Sequence, residues 1–438
     1  MSTGTDAATA EPDVSGERST LWHNRDFVTF WVGETVSLFG TQVTTLALPL
    51  TAVLMFDAST EQVGVLRFVQ LVPYFGLALL FGVWVDRVRR RPVMFAANAV
   101  RMVLLALVPL LSHLGVLSMG PLLIIACGIG IASVLFDVSW MSYVPTLVKD
   151  PKHYVEAYAK LGVTSSSADV AGPGLAGVLV GALTAPTALV FDAFSYLASM
   201  VSLVLIRARE ERPTPPATKR RLRTELSDGW HWVFGDRILR PLVLMGPACN
   251  FCMVSIQTLF IVYAIRDVGL RPFMLGFILS MSAVGGLLGA SVSRKVIQRF
   301  ALGRVYFVSM TAIFLAPALI PLASGTKPFV AAMFIVSFFV SYLGLGTVQV
   351  VMMSLRQTCT PASLMGRMSA VFRMMLFGGG ALAGPVSGFV AGAVGLRTTL
   401  ALLAILAVAL IVPLALSPVS RLRELPPPAV EPDPVAAS

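Results

Sequence analysis

Charge is what this chain has least of: Asp, Glu, Lys and Arg make up only 13% of its 438 residues, about half the share of a soluble domain. Carboxylates are absent altogether between Asp267 and Glu424. Any work done by an acid in the apolar part of the molecule therefore falls to the first half. Cysteine is scarce too, with four in all. Cys249 and Cys252 are spaced C-x-x-C but lie inside an apolar run with no second pair, so small polarizable packing residues fit them better than zinc or redox chemistry. The four histidines (His23, His113, His153, His231) lie at or near polar interruptions, poor places for a proton carrier. No G-x-x-x-x-G-K-[ST] loop occurs, and no sizeable polar domain is present to hold one, so nothing supports ATP hydrolysis. Residues 1–20 are polar and contain Asp and Glu, so no cleavable signal peptide is expected. The chain reads as no enzyme, with no cofactor and no metal.

Apolar sequence is what remains, at 56% hydrophobic residues and a mean hydropathy of +0.80. Runs of roughly 20 such residues recur, each long enough to cross about 30 Å of hydrocarbon as a helix. Twelve are expected, at about 27–55, 62–85, 92–113, 120–147, 160–182, 187–207, 239–265, 272–294, 304–323, 328–354, 368–393 and 396–416. Strands of a membrane barrel would be shorter and alternate in polarity. The fold class is thus an all-α polytopic membrane protein.

The net charge of +10 is distributed as topology rather than as a nucleic-acid surface. With residues 1–26 inside, the inner loops collect Arg87, Arg89, Arg90, Arg91, Lys149, Lys152, Lys160, the dense run from Arg207 to Arg240, Arg294, Lys295, Arg299 and Arg304. The outer loops hold little more than Arg67, Arg266, Arg271, Lys327 and Arg397. That bias places both termini in the cytoplasm. The stretch 208–238 is the longest polar interruption and carries a possible surface-lying amphipathic helix from Glu225 to Phe234. It separates a six-helix bundle at 27–207 from another at 239–416. Tails at 1–26 and 417–438 complete the division, the Pro-rich end from Leu425 reading as disordered.

The densest charge is Gly82-Val-Trp-Val-Asp86-Arg87-Val-Arg89-Arg90-Arg91-Pro92, a turn that must sit at a membrane face. It has a degenerate echo at Gly289-x-x-x-Ser293-Arg294. A second landmark also occurs twice: Ala171-Gly172-Pro173-Gly174-Leu-Ala-Gly177 and Ala383-Gly384-Pro385-Val-Ser-Gly388, 212 residues apart. Such internal repetition points to two pseudo-symmetric halves with a substrate site between them near the midplane.

With twelve spans in two sixes, the Gly82–Pro92 turn and the Gly-Pro spans, residues 20–420 resemble the major facilitator superfamily. Phe27 to Gly40, Leu46 to Leu50, Phe136 to Val148 and Asp192 to Tyr196 are most similar to its drug:proton antiporter branch of macrolide-efflux-like exporters. The resemblance implies the major facilitator fold and a gate at the first turn. There Asp86 would meet the N-terminal end of a helix in the other half, with Arg87, Arg90 and Arg91 pairing to Asp86 and to the lower part of span 4. Without that latch, the arginines would only anchor the loop at lipid headgroups. The resemblance also makes Gly172, Pro173 and Gly177 a marker of antiport; physically they suit a kinked, closely packed span. Two departures stand out. Thr41 follows Gly40 where many members carry an acid, and the start of span 4 lacks the arginine of better-studied proton-coupled exporters.

Ionisable residues inside spans are expensive and so are functional candidates. Glu34, Arg101, Asp137 and Asp169 are expected seven to twelve residues from the cytoplasmic face, a shared layer roughly 10–17 Å deep at 1.5 Å per residue. An Arg101-centred network with Asp137 or Glu34 as partner would couple protons or substrate; structural ion pairing within the first half would explain the same residues. Asp192 lies nearer the outer face, as does Arg67. For substrate contacts, Met and Phe side chains of the second half suit bulky apolar molecules. The amides Gln42, Asn250, Gln257 and Gln349, with Tyr342 and Phe372, are the specific candidates.

The expected function is proton-coupled export of amphipathic drug-like or natural-product molecules by alternating access, in a bacterial plasma membrane and as a monomer. Partners are then a small-molecule substrate, protons and the lipid bilayer, not nucleic acid. Rival readings are an exporter of one endogenous metabolite such as a siderophore or self-made antibiotic, a lysophospholipid flippase, an importer, and a transport-dead sensor or scaffold.

Overall fold

The structure, a computed structural model, describes residues 21–85, 87–148, 150, 153–210, 222–361, 364–427 and 429. It is built from helices, and no strand occurs among the described residues. The first six are α1 (Arg25–Met55), α2 (Thr60–Val85), α3 (Arg90–His113), α4 (Met119–Leu147), α5 (Tyr154–Ala182) and α6 (Ala185–Leu205). A shorter α7 (Leu222–Gly235) follows. Then come α8 (Leu239–Arg266), α9 (Pro272–Arg299), α10 (Leu302–Leu315), α11 (Leu319–Leu322), α12 (Lys327–Thr358), α13 (Met365–Val394), α14 (Leu396–Ala409) and α15 (Ile411–Leu416). The pairs α10–α11 and α14–α15 each form one apolar rod, and among the described residues ten helices or rods are long and apolar enough to cross a membrane. Helices α2 and α5, of 26 and 29 residues, occupy the two other positions of the expected set.

Local chemistry places the helix ends. Proline opens α6, α9 and α12 within their first two residues, where its missing N–H costs nothing. The Thr184 hydroxyl accepts the Thr187 N–H at the start of α6, a side-chain cap. Gly395 turns the chain between α13 and α14 at φ 88°, a conformation open to glycine without strain.

Hydrogen bonds identify two ends of the molecule. Asn24 Nδ2 donates to the Leu147 carbonyl at the end of α4, and Arg207 N to Asp26 at the start of α1. Gly303 N donates to the Leu422 carbonyl and Ala429 N to the Thr358 carbonyl. The chain before α1, the segment after α6 and the C-terminal segment therefore share one end, here the linker face; the opposite end is the far face. Within the expected C-terminal tail, Leu422 and Arg423 meet the start of α10 and Ala429 meets the end of α12 through backbone hydrogen bonds. Helix α7 differs from the expectation of a surface-lying helix. Val233 on it is fully buried, Trp232 Nε1 donates to the Cys359 carbonyl, and Asp228 pairs with Arg367 of α13 at 2.9 Å. Val233 and Trp232 thus meet the second set of helices, while Trp230 stays exposed.

Helices α1 to α6 pack among themselves, as do α8 to α15, and two long crossings join the sets: α2 with α13, and α5 with α9. Both are glycine crossings near the far face. A side chain at Gly64 would run into the backbone of Gly384, and one at Gly276 into Pro173 and Gly177. Gly64 and Gly276 are 212 residues apart, the same spacing as Gly172 and Gly384, so the two crossings are symmetric counterparts. The helices continue through Pro173 and Pro385; the glycines beside them serve close approach.

Candidate functional site

Between the two sets lies a cavity of about 730 Å³. The first half lines it from α1 (Gln42, Thr45, Leu46, Pro49), α2 (Val63, Leu66, Arg67, Gln70) and α5 (Ser166, Asp169, Pro173). The second half contributes Gln257, Thr258 and Ile261 of α8, Leu279, Ser282, Ala283 and Gly286 of α9, and Tyr342, Gly346, Gln349, Met353 and Ser354 of α12. The α12 residues recur at 342, 346, 349 and 353, one face of a helix. The glycine crossings close the cavity toward the far face, and an Asp57–Arg266 ion pair of 2.6 Å joins the halves beyond them. In the other direction the lining reaches Ser354, four residues from the linker-face end of α12.

Arg67 and Asp169 are the charged residues of this lining. Asp169 is exposed to the cavity and accepts a hydrogen bond from Gln42 Nε2 at 2.5 Å. Arg67 donates to Gln70 on its own helix at 3.5 Å, the outer limit of a hydrogen bond. No ion pair found among the described residues includes it. An ionisable side chain inside a span is expensive, up to roughly 2.5–3.5 kcal/mol at the helix centre, and Arg67, seven residues from the far-face end of α2, meets that cost on a cavity wall that offers a solvated space or a ligand.

Nearer the linker face lies the layer of Glu34, Arg101 and Asp137, nine, eleven and ten residues from the linker-face ends of their helices. Asp169 is not in it. Helix α5 begins at Tyr154, six residues before the expected 160, so Asp169 is fifteen residues deep, level with Gln42. The Arg101-centred ion-pair network does not form either. The Arg101 guanidinium donates to Asn98 and lies over the rings of Phe136 and Tyr196, at 4.2 and 4.5 Å, and no carboxylate pairs with it directly among the described residues. Two aromatic faces substitute for the missing anion. Asp137 instead accepts a hydrogen bond from Tyr74 Oη at 2.7 Å. The Tyr74 ring stacks on Phe377 of α13 with centroids 5.1 Å apart, so this acid is one contact from the other half. Glu34 is buried, and its Oε2 has no hydrogen-bond partner. Asp192 is fully buried, accepts from the hydroxyls of Thr44 and Ser195, and ties α6 to α1 away from the cavity.

A sequence profile described as Major Facilitator Superfamily matches residues 30–384. The chain belongs to the Major Facilitator Superfamily. It is a multi-pass membrane transporter of small molecules, not an enzyme. Among its relatives, the multidrug efflux pump Tap of Mycolicibacterium fortuitum is 23% identical over 406 residues, 88% of this chain and 93% of that protein. The uncharacterized MFS-type transporter YfiS of Bacillus subtilis (strain 168) is 23% identical over 366 residues, 80% of this chain and 83% of that protein. A crystal structure of the nucleoside transporter NupG superposes with a TM-score of 0.73 at 12% identity, covering 90% of this chain and 99% of that one. At that identity the likeness concerns the fold.

Within this major facilitator fold, four of the six proposed substrate contacts line the cavity: Gln42, Gln257, Gln349 and Tyr342. Asn250 does not, because its amide donates to the Leu376 carbonyl of α13 at 2.7 Å and bridges helices of one half. Phe372 is buried beneath the Arg356 guanidinium, 4.6 Å from its ring centre. The Met and Phe residues expected to shape the pocket are mostly packing; Met353 alone of those methionines joins the lining. Arg67 and Gln70 were not singled out as site residues, although Val63, Leu66, Arg67 and Gln70 follow helical spacing and mark one face of α2.

At the first motif, Asp86 lies outside the described residues. Gly82 faces open space, with Val138 the nearest approach at 4.0 Å, whereas its echo Gly289 is pressed against Leu343. Arg87 closes a turn through its N–H to the Trp84 carbonyl. Arg90 and Arg91 find an acid that sequence spacing did not indicate. Glu210 accepts both their backbone N–H groups, at 2.6 and 3.0 Å, and sits 3.8 Å from the Arg90 guanidinium. Arg91 Nη2 also donates to the Val204 carbonyl. Arg91 thus holds the end of α6, and Glu210 just beyond that helix ties both residues to it. Gly172 packs on Gln42, and Pro173 and Gly177 on α9, which puts this Gly-Pro motif beside the far-face crossing.

Proposed function

We propose that this transporter exports amphipathic drug-like or natural-product molecules from a bacterial cytoplasm in exchange for protons, working as a monomer by alternating access. In this reading the linker face is cytoplasmic, 27–207 and 239–416 move as two bodies, and 208–238 links them. The observation that carries it is the cavity between the halves, sealed by glycine crossings at the far face and reaching toward the linker face. Its wall is largely apolar, with four amides, several hydroxyls and the charged Arg67 and Asp169 set into it, a lining that holds varied apolar bodies and orients them through polar groups. The name of the Tap relative supports an efflux role.

Proton coupling is assigned to the first half, since no carboxylate lies between Asp267 and Glu424. Asp137 is the leading carrier: its Tyr74 partner leans on Phe377, so a change of charge at Asp137 is felt at the contact between halves. Glu34 is the second, because an ionised carboxylate there would be a buried charge with a bare oxygen. The test is accumulation of a compound panel in cells stripped of their own pumps, with and without a protonophore, alongside Asp137→Asn and Glu34→Gln. Protonophore-sensitive efflux should fail in at least one neutral variant. Full proton-dependent efflux in both sinks the coupling assignment, and a single accepted compound points to a dedicated metabolite exporter.

A further inference from the structure

Arg67 is the cation of the cavity wall, and nothing assigned to it so far uses its charge. Its guanidinium stays ionised at any physiological pH and presents five N–H donors with no acceptor. The nearest use of those donors is the 3.5 Å contact to Gln70. Asp169, the acid of the same wall, is engaged by Gln42 and makes no ion pair with Arg67. Tyr342 of the opposite half lies within electrostatic reach of both. The Tyr342 phenol and the Gln70 amide thus stand near a fork of largely unspent donors. On the same helix, Val63 and Leu66 offer an apolar surface directly beside it.

We infer that Arg67 is the anion-recognising residue of the cavity, and that this transporter takes amphipathic organic anions whose carboxylate or phosphate head meets the Arg67 guanidinium. The planar fork matches two oxygens of such a head, while the aliphatic wall takes the body. A ligand carrying an ammonium group as well would direct it to Asp169. The inference rests on the cavity being the substrate site and is independent of proton coupling.

The test is binding of three probes that share one apolar body and differ in the head: 1-pyrenebutyrate, 1-pyrenebutyramide and 1-pyrenebutylamine. Affinities are read by fluorescence on the purified full chain in detergent, with no gradient present. Wild-type protein should bind the carboxylate at least tenfold more tightly than the amide, a difference of about 1.4 kcal/mol. Arg67→Gln should erase that preference, the carboxylate losing far more affinity than the amide, and Arg67→Lys should keep part of it. Asp169→Asn should weaken the amine only. Thermal melting of each variant shows that the fold persists; the lysine variant serves if the glutamine variant does not fold. Equal affinity for carboxylate and amide in the wild type, or a preference that survives loss of the guanidinium, overturns the inference. A protein that binds the carboxylate through Arg67 yet shows no protonophore-sensitive flux refutes the coupling reading and leaves this one standing.

Discussion

The far-face seal offers the sharpest quantitative test. It depends on glycines at which a single methyl group has no room, and one on each crossing serves as the test. A Cβ on Gly388 of α13 would lie 2.6 Å from the Thr60 carbonyl oxygen of α2, and one on Gly177 of α5 would lie 2.8 Å from the Pro272 carbonyl oxygen of α9. Ordinary contact begins near 3.4 Å, so each crossing must open by roughly 0.6–0.8 Å to accept alanine. Both obstacles are helix backbone, which cannot step aside as a side chain can. Overpacking of this kind costs about 1–3 kcal/mol. In the proposed alternating-access cycle these helices part when the cavity opens the other way, so the cost falls on the far-face-closed state. A penalty of about 2 kcal/mol shifts the ratio of the two states roughly 30-fold. The assay is electron–electron distance measurement between spin labels at Ser59→Cys and Arg271→Cys, which flank the far-face ends of α2 and α9. The background replaces Cys127, Cys249, Cys252 and Cys359. Gly388→Ala and Gly177→Ala should each move the distribution toward the longer-distance population, and the double variant further. An unchanged distribution in both single variants would refute the claim that glycine contact holds this face shut.

Two further outcomes follow from buried acids outside the cavity. Glu210→Ala removes a carboxylate that accepts two backbone N–H groups at the start of α3, a loss of about 1–2 kcal/mol for a charged cap. Hydrogen exchange at the Arg90 and Arg91 amides should quicken, and unaltered protection there would show that Glu210 is not the cap. Asp192→Ala deprives Thr44 and Ser195 of a fully buried acceptor, which costs about 1–3 kcal/mol and should lower the melting temperature by several degrees. Asp169→Asn, on the open wall, should leave it within a degree; equal shifts in the two variants would contradict the division between a packing acid and a cavity acid.

The helices were legible in sequence because an apolar run of membrane length has one stable form, with every backbone group paired within the segment. The repeat was legible for a related reason: Gly172–Pro173 and Gly384–Pro385 recur at a spacing of half the chain, and glycine in a span marks close approach. The shortage of acids in the second half was visible by inspection and already confined any carboxylate coupling to the first. Depth and facing were another matter. Asp169 moved out of the Glu34–Arg101–Asp137 layer because α5 starts within a polar stretch that hydropathy does not count as span. Arg101 found two aromatic faces and Asn98 instead of an acid, a choice set by how α3, α4 and α6 rotate against one another. Asn250, Phe372 and most of the methionines proved to pack within one half, since an apolar or amide side chain in a span suits a neighbouring helix as well as a cavity. Glu210 and Arg67 show the same limit from the other side. The acid that holds the first arginine motif comes from 120 residues away, and the arginine that faces the cavity differs from the rest only in what stands opposite it. Sequence by itself determined that this chain crosses a membrane as two related halves and which half can carry a proton on a carboxylate. Tertiary structure decided which side chains face the shared cavity, because that depends on the rotation and crossing of helices whose apolar surfaces are nearly uniform.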